Sequence, residues 1–148
     1  MVTIHGTCVL LSGIGVLLLG KSGSGKSDLA LRLIDGGALL IADDRVELCM
    51  EDGRLIATAP AALAGLLEMR GVGILTVPAA SRAAVGLVVD LVPHDRVERM
   101  PEPNTVSILD AALPHLALAP FDASTPAKLR FAAEAVCAGR LGQVPFSS

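Results

Sequence analysis

Eight consecutive residues, Gly20-Lys21-Ser22-Gly23-Ser24-Gly25-Lys26-Ser27, meet every fixed position of the pattern G-x-x-x-x-G-K-[ST]. Each residue type in it has a task in gripping a polyphosphate. The glycines let the main chain curl until successive N–H groups point at anionic oxygens, and a helix that starts directly afterwards adds its dipole. Lys26 reaches the terminal phosphates, and Ser27 offers its hydroxyl to a magnesium ion. This chemistry needs a strand before the loop and a helix after it. Gly15 to Leu19 reads as a short buried strand, and Ser27 to Ile34 as a helix with Leu29, Ala30, Leu33 and Ile34 on one side. A glycine-rich turn with an incidental lysine would have no need of that setting.

Phosphoryl transfer to a hydroxyl also needs a carboxylate near the metal and a group to receive the proton. Two hydrophobic runs end in acid, Leu40-Ile41-Ala42-Asp43-Asp44 and Leu87-Val88-Val89-Asp90. The first follows the loop's helix after the tight turn Gly36-Gly37. A right-handed crossover would lay it parallel and adjacent to the first strand, with Asp43 and Asp44 beside the phosphate loop. Position therefore favours the Asp43-Asp44 pair, one carboxylate for the metal and one for the incoming hydroxyl. The competing explanation is an Asx turn leading into a hairpin.

The elements that must hold these groups follow from periodicity and turn residues. Thr3 to Leu11 and Gly15 to Leu19 read as strands joined at Ser12-Gly13-Ile14. Val46 to Met50 and Leu55 to Thr58 flank Glu51-Asp52-Gly53-Arg54 as a hairpin, and Pro60 to Leu67 reads as a short helix. Leu87 to Val92 is a buried strand, Pro93 to Asn104 a polar surface loop, and Leu116 to Leu118 a last strand. Pro126 to Ala138 is a final helix with proline in its first turn.

The chain has 148 residues, enough to bury a core as one domain over 1–148. Hydrophobic residues make up 52%, but Trp and Tyr are absent and Phe occurs three times, so the core must come from Leu, Val, Ile and Ala. That suits a layered α/β arrangement. A net charge of −3, with no basic run and no aromatic stacking platform, argues against nucleic acid as a partner. Cys8, Cys49 and Cys137 are scattered and form no metal-binding pattern, which fits small apolar residues in a reducing cytoplasm. The apolar run Val9 to Leu19 is broken by Ser12, Gly13 and Gly15 and is too short to span a bilayer; it has no basic leader or cleavage pattern. The expectation is a cytoplasmic protein without a membrane partner.

Four segments in order resemble the catalytic domain of bacterial HPr kinase/phosphorylase. They are Ile4-His5-Gly6, the loop Gly20 to Ser27, Ala42-Asp43-Asp44 with Val46-Glu47, and Leu67-Glu68-Met69-Arg70-Gly71-Val72-Gly73-Ile74-Leu75. The last discriminates most, since many unrelated nucleotide enzymes share a phosphate loop. The resemblance implies a P-loop α/β fold of the phosphoenolpyruvate carboxykinase-like type, with a mixed sheet and flanking helices. It implies ATP held by Gly20 to Ser27 and magnesium held by Ser27 with Glu68. It further implies Asp44, with Asp43 beside it, as proton acceptor for a serine of an HPr-type phosphocarrier protein. His5, Lys26 and an arginine, aligned to Arg99 with Arg96 close by, are the remaining catalytic positions. It also implies a homo-oligomer, hexameric in the family.

Departures from the family pattern set further expectations. The family's N-terminal domain is not in this sequence, as in short forms resembling those of alphaproteobacteria. Asp28 stands where glutamate is usual. The segment Pro120-Phe121-Asp122-Ala123-Ser124-Thr125-Pro126 lacks the arginine that the family links to the reverse reaction, so phosphorylase activity is expected to be weak or lost. The alternatives are a P-loop small-molecule kinase and a nucleotide-sensing regulatory module.

Overall fold

The computed structural model describes residues 1–142. Eleven strands and two helices follow in order: β1 (Val2–His5), β2 (Thr7–Leu11), β3 (Ile14–Leu19), α1 (Lys26–Asp35), β4 (Leu39–Ala42), β5 (Arg45–Glu51), β6 (Arg54–Thr58), β7 (Leu66–Met69), β8 (Gly73–Thr76), β9 (Arg82–Leu91), β10 (Thr105–Ile108), β11 (Ala111–Leu118) and α2 (Thr125–Cys137). Nine strands form one curled mixed sheet in the order β1-β5-β6-β9-β3-β2-β4, with β11 parallel to the end of β9 and β10 antiparallel to β11. β7 and β8 make a separate hairpin.

The long β9 organises this sheet. Its first residues pair antiparallel with β6, its middle pairs parallel with β3, and its last four pair parallel with β11. Successive side chains point to opposite faces, and both faces are covered, which is why these strands read as continuous apolar runs. Val16, Leu18, Leu87 and Val89 pack with Leu29, Leu33 and Leu129 of the two helices. Leu17 and Val88 face the other way, into a second core with Ile41, Val46, Leu48 and Leu55. Truncating one of these fully buried leucines to alanine costs about 2–5 kcal/mol.

Four sequence expectations change. β4 runs in the same direction as β3 but is not adjacent to it, because β2 lies between them, antiparallel to both. The tight β2–β3 hairpin claims that edge of β3 first, so the crossover through α1 passes over β2. The first strand is split at Gly6, where an added Cβ would meet the Leu18 carbonyl and the Leu19 side chain at 3.1 Å. β1 then leaves to pair with β5. The short helix over Pro60 to Leu67 is one tight turn at Ala61–Leu63, followed by β7. Gly71 and Gly73, with φ of 87° and 123°, supply the left-handed turn that folds β8 back onto β7. The last strand extends back to Ala111, with Pro114 placed before the first residue paired to β9, where no N–H is required.

Candidate active site

Gly20 leaves the end of β3, and Lys26 opens α1, so the loop between them lies at the carboxyl edge of the sheet. Gly25 must be glycine for two reasons. Its φ is 101°, and an added Cβ would come within 2.8 Å of the Phe121 ring and 3.0 Å of Pro120. Lys26 is buried, and its Nζ donates to the carbonyls of Gly20 and Lys21 at 2.8 Å each. Burial pulls its pKa down, while the charges of Asp43 and Asp44 act in the other direction. Both carboxylates are therefore near enough to this ammonium to be felt.

The two aspartates sit at the end of β4 in different surroundings. Asp43 is buried. Its Oδ1 accepts hydrogen bonds from Ser27 Oγ at 2.7 Å and Thr7 Oγ1 at 3.0 Å, and its Oδ2 accepts from the Glu68 main-chain N–H at 3.3 Å. One carboxylate thus ties together β2, the start of α1 and β7. Asp44 is exposed, has a left-handed φ of 71°, and accepts from His5 Nε2 at 2.9 Å. A non-glycine residue in that region is strained, and here Asp44 is held in it by its carbonyl, which accepts from the Gly6 N–H at 3.1 Å. The rival acid, Asp90, lies beside Leu19 in register but accepts from His115 Nε2 at 2.7 Å. The other ring nitrogen of His115 accepts from Asn104 Nδ2 at 2.9 Å. This chain of bonds closes the base of the 93–104 loop.

A cleft of about 490 Å³ gathers most of the sequence candidates. His5, Asp44, Ser22, Gly23, Gly25, Lys26, Ser27 and Glu68 line it, together with Arg70, Val72 and Phe121. A second cavity of about 660 Å³ lies against the other side of the loop and is lined by Lys21 to Ser24, Arg96 and the ends of β9 and β11. Arg99 is exposed and lines neither of these two cavities. Besides Lys26, the cation that joins the acids in the smaller cleft is Arg70, which has no ion pair among the described residues.

Among the described residues no group of three or more His, Cys, Asp and Glu side chains is placed to hold a metal ion. Three oxygen donors lie near the loop: the Ser27 hydroxyl, the Asp43 carboxylate it touches, and Glu68. Magnesium takes one or two carboxylates and fills its shell with phosphate oxygens and water, so this set fits it. Sequence reasoning missed Thr7 and Phe121, and gave Arg70 no role of its own. Thr7 left a signal, a polar residue opening an otherwise apolar strand, Thr7-Cys8-Val9-Leu10-Leu11.

The curled mixed sheet, the loop and the two flanking helices define a P-loop kinase fold of the phosphoenolpyruvate carboxykinase-like type. Residues 1–120 match the family model described as HPr Serine kinase C-terminal domain, and the chain belongs to that family. It is similar to the HPr kinase/phosphorylase of Geobacillus kaustophilus, 41% identical over 127 residues that cover 78% of this chain and 41% of the relative. A relative from Peptoclostridium acidaminophilum with the same name is 54% identical over 76 residues, 51% of this chain and 25% of that one. The chain therefore spans about two fifths or less of the length of these relatives. The structure of the Hpr(Ser) kinase/phosphatase from Coxiella burnetii superposes with a TM-score of 0.79 at 28% identity, covering 95% of this chain and 92% of that one. No helix among the described residues is long and apolar enough to cross a membrane.

Proposed function

We propose that this chain is an ATP-dependent protein serine kinase that phosphorylates an HPr-type phosphocarrier protein. The observation that carries the reading is the contact between Asp43 and Ser27, which brings an acid pair to the mouth of a phosphate loop. The relatives' names supply the acceptor class. Main-chain N–H groups of Gly20 to Ser27 bind the polyphosphate, and Lys26 exchanges its two carbonyl partners for phosphate oxygens. Ser27, Asp43 and Glu68 would hold a magnesium ion, which when bound would offset charge on the phosphates. Asp44 accepts the proton of the substrate serine, and His5 holds that carboxylate in place. Lys26 and Arg70 stabilise charge on the transferred group, with an arginine of the 93–104 loop, Arg99 or Arg96, engaging from the partner side.

The Pro120 to Pro126 segment presents Phe121 and Asp122 and no arginine, which supports a weak or lost phosphorylase reaction. The same reading makes the protein cytoplasmic and a homo-oligomer, with neither nucleic acid nor membrane among its partners. Incubating the chain with labelled ATP, magnesium and a panel of HPr-type proteins tests it. Transfer to a serine is the expected result. ATP binding without transfer to any of them would leave the nucleotide-sensing module as the better account.

A further inference from the structure

We infer that Arg32, which lines neither cavity, is a positioning residue for the phosphate loop, an inference that rests on the phosphate-loop reading above. Arg32 lies in the second turn of α1, and its guanidinium bonds in two directions. Nε donates to Asp28 Oδ2 at 3.0 Å, one helical turn back, and Nη2 donates to the carbonyl of Pro120. The ion pair alone is a partly exposed i,i+4 contact of little worth. The bond to Pro120 is different. It ties the helix that starts at the phosphate loop to the turn that follows β11, and Pro120 is buried. Removing the guanidinium would take away the partner of a carbonyl on a buried residue.

That turn bears on the loop directly. Pro120 and the Phe121 ring leave no room for a Cβ on Gly25, the residue that brings the loop into α1 at a φ of 101°. Three ties hold the turn. Thr125 Oγ1 at the start of α2 donates to the Ala119 carbonyl at 2.5 Å, His94 Nδ1 donates to Asp122 Oδ2 at 2.7 Å, and Arg32 reaches Pro120 from α1. Of these, the tie from Arg32 is the one made by the helix whose first turn carries Lys26 and Ser27. It fixes the turn relative to the loop, and so keeps Gly25 packed before any ligand arrives. With that tie gone, the loop must be ordered at the moment of binding, which lowers affinity for a polyphosphate whatever is attached to it. A planar guanidinium serves Asp28 and Pro120 together in fixed directions, and a lysine ammonium in its place does not.

Calorimetric titration of the full chain with magnesium ATP and with magnesium tripolyphosphate, well below the thermal midpoint of each variant, tests this. Arg32→Ala should weaken both ligands by similar factors, about five- to tenfold, and Arg32→Lys by about threefold. A role in stability alone would lower the midpoint and leave the affinity of the folded protein where it was. Wild-type affinity for both ligands in folded Arg32→Ala therefore overturns the inference. So does a loss for ATP with tripolyphosphate unchanged, because the effect would then bypass the loop. Circular dichroism shows whether each variant is folded; should Arg32→Ala not fold, Arg32→Lys carries the test, and its binding both ligands as the wild type does overturns the inference. Absence of binding by both ligands to the wild type overturns the phosphate-loop reading itself, and the inference with it.

Discussion

The Asp43 carboxylate accepts the Ser27 hydroxyl at 2.7 Å, joining the end of β4 to the first turn of α1 although another strand separates β4 from β3. Adjacency in the sheet is thus not what brings acid to the loop. The crossover returns the chain one strand further out, and the side chain spans the gap from a buried position fixed by Thr7 and the Glu68 N–H. The neighbouring Asp44 then has one side turned to solvent, where an acceptor hydroxyl can approach.

Asp44→Asn keeps the size and the left-handed backbone tolerance of aspartate but removes its basicity. Serine transfer to an HPr-type protein should fall about 10²–10⁴-fold, with ATP affinity nearly unchanged. Parallel measurement of turnover and calorimetric ATP binding checks this. Loss of both together would make Asp44 chiefly a metal ligand and Asp43 the better base.

Thr7→Val removes one of the two hydroxyl donors to Asp43 Oδ1 at nearly constant volume. In so buried a place the substitution should lower stability by about 1–2 kcal/mol in urea unfolding. Ser27→Ala, which removes the other donor, should weaken nucleotide binding in magnesium much more than in EDTA.

Lys26 couples the site to pH. Burial holds its folded-state pKa below the ordinary lysine value, so the cost of keeping it charged is fully present at neutral pH. That cost is relieved as pH rises through the folded pKa towards the unfolded one, because there the unfolded chain binds more protons. Lys26→Met should therefore abolish tight ATP binding, and the stability of the variant relative to wild type should decline as pH rises from 7 to 10. Denaturant midpoints across that range give the sign; a difference that grows with pH would contradict it.

Arg70 lines the acid-bearing cleft, whereas Arg99 lines neither cavity. Arg70→Ala should reduce kcat for serine transfer about 10²-fold or more. Arg99→Ala should act mainly on KM for the carrier protein. Steady-state kinetics of the two variants separates these roles, and a larger kcat loss for Arg99→Ala would reverse the assignment.

The loop, its helix and the acid pair were legible in the sequence because each is local: glycine spacing, a helical apolar stripe and a hydrophobic run ending in acid. Long-range pairing was not. Nothing local to Thr3 to Leu11 says that the chain divides at Gly6, since the constraint is the approach of Leu18 and Leu19 from another strand. Pro60 to Leu67 has an apolar density that suits a helix or a strand, and only the glycines at 71 and 73 decide for a hairpin. Glu68 and Arg70 read alone as an exposed ion pair; family likeness raised both, and the hairpin turns both towards the cleft. Asp90 kept the form of a catalytic acid in sequence, and only the fold shows that His115 occupies it.

The Asp90–His115–Asn104 chain has a consequence for how the family can diversify. It fastens the two stems of the 93–104 segment to the sheet, through the residue two before Val92 at one stem and Asn104 at the other. Substitutions, insertions or deletions at the tip are thereby insulated from the strand ends beside the phosphate loop. On the proposed reading, contacts with a carrier protein can be rewritten at that tip as an exchangeable cassette, provided the arginine at 96 or 99 is kept.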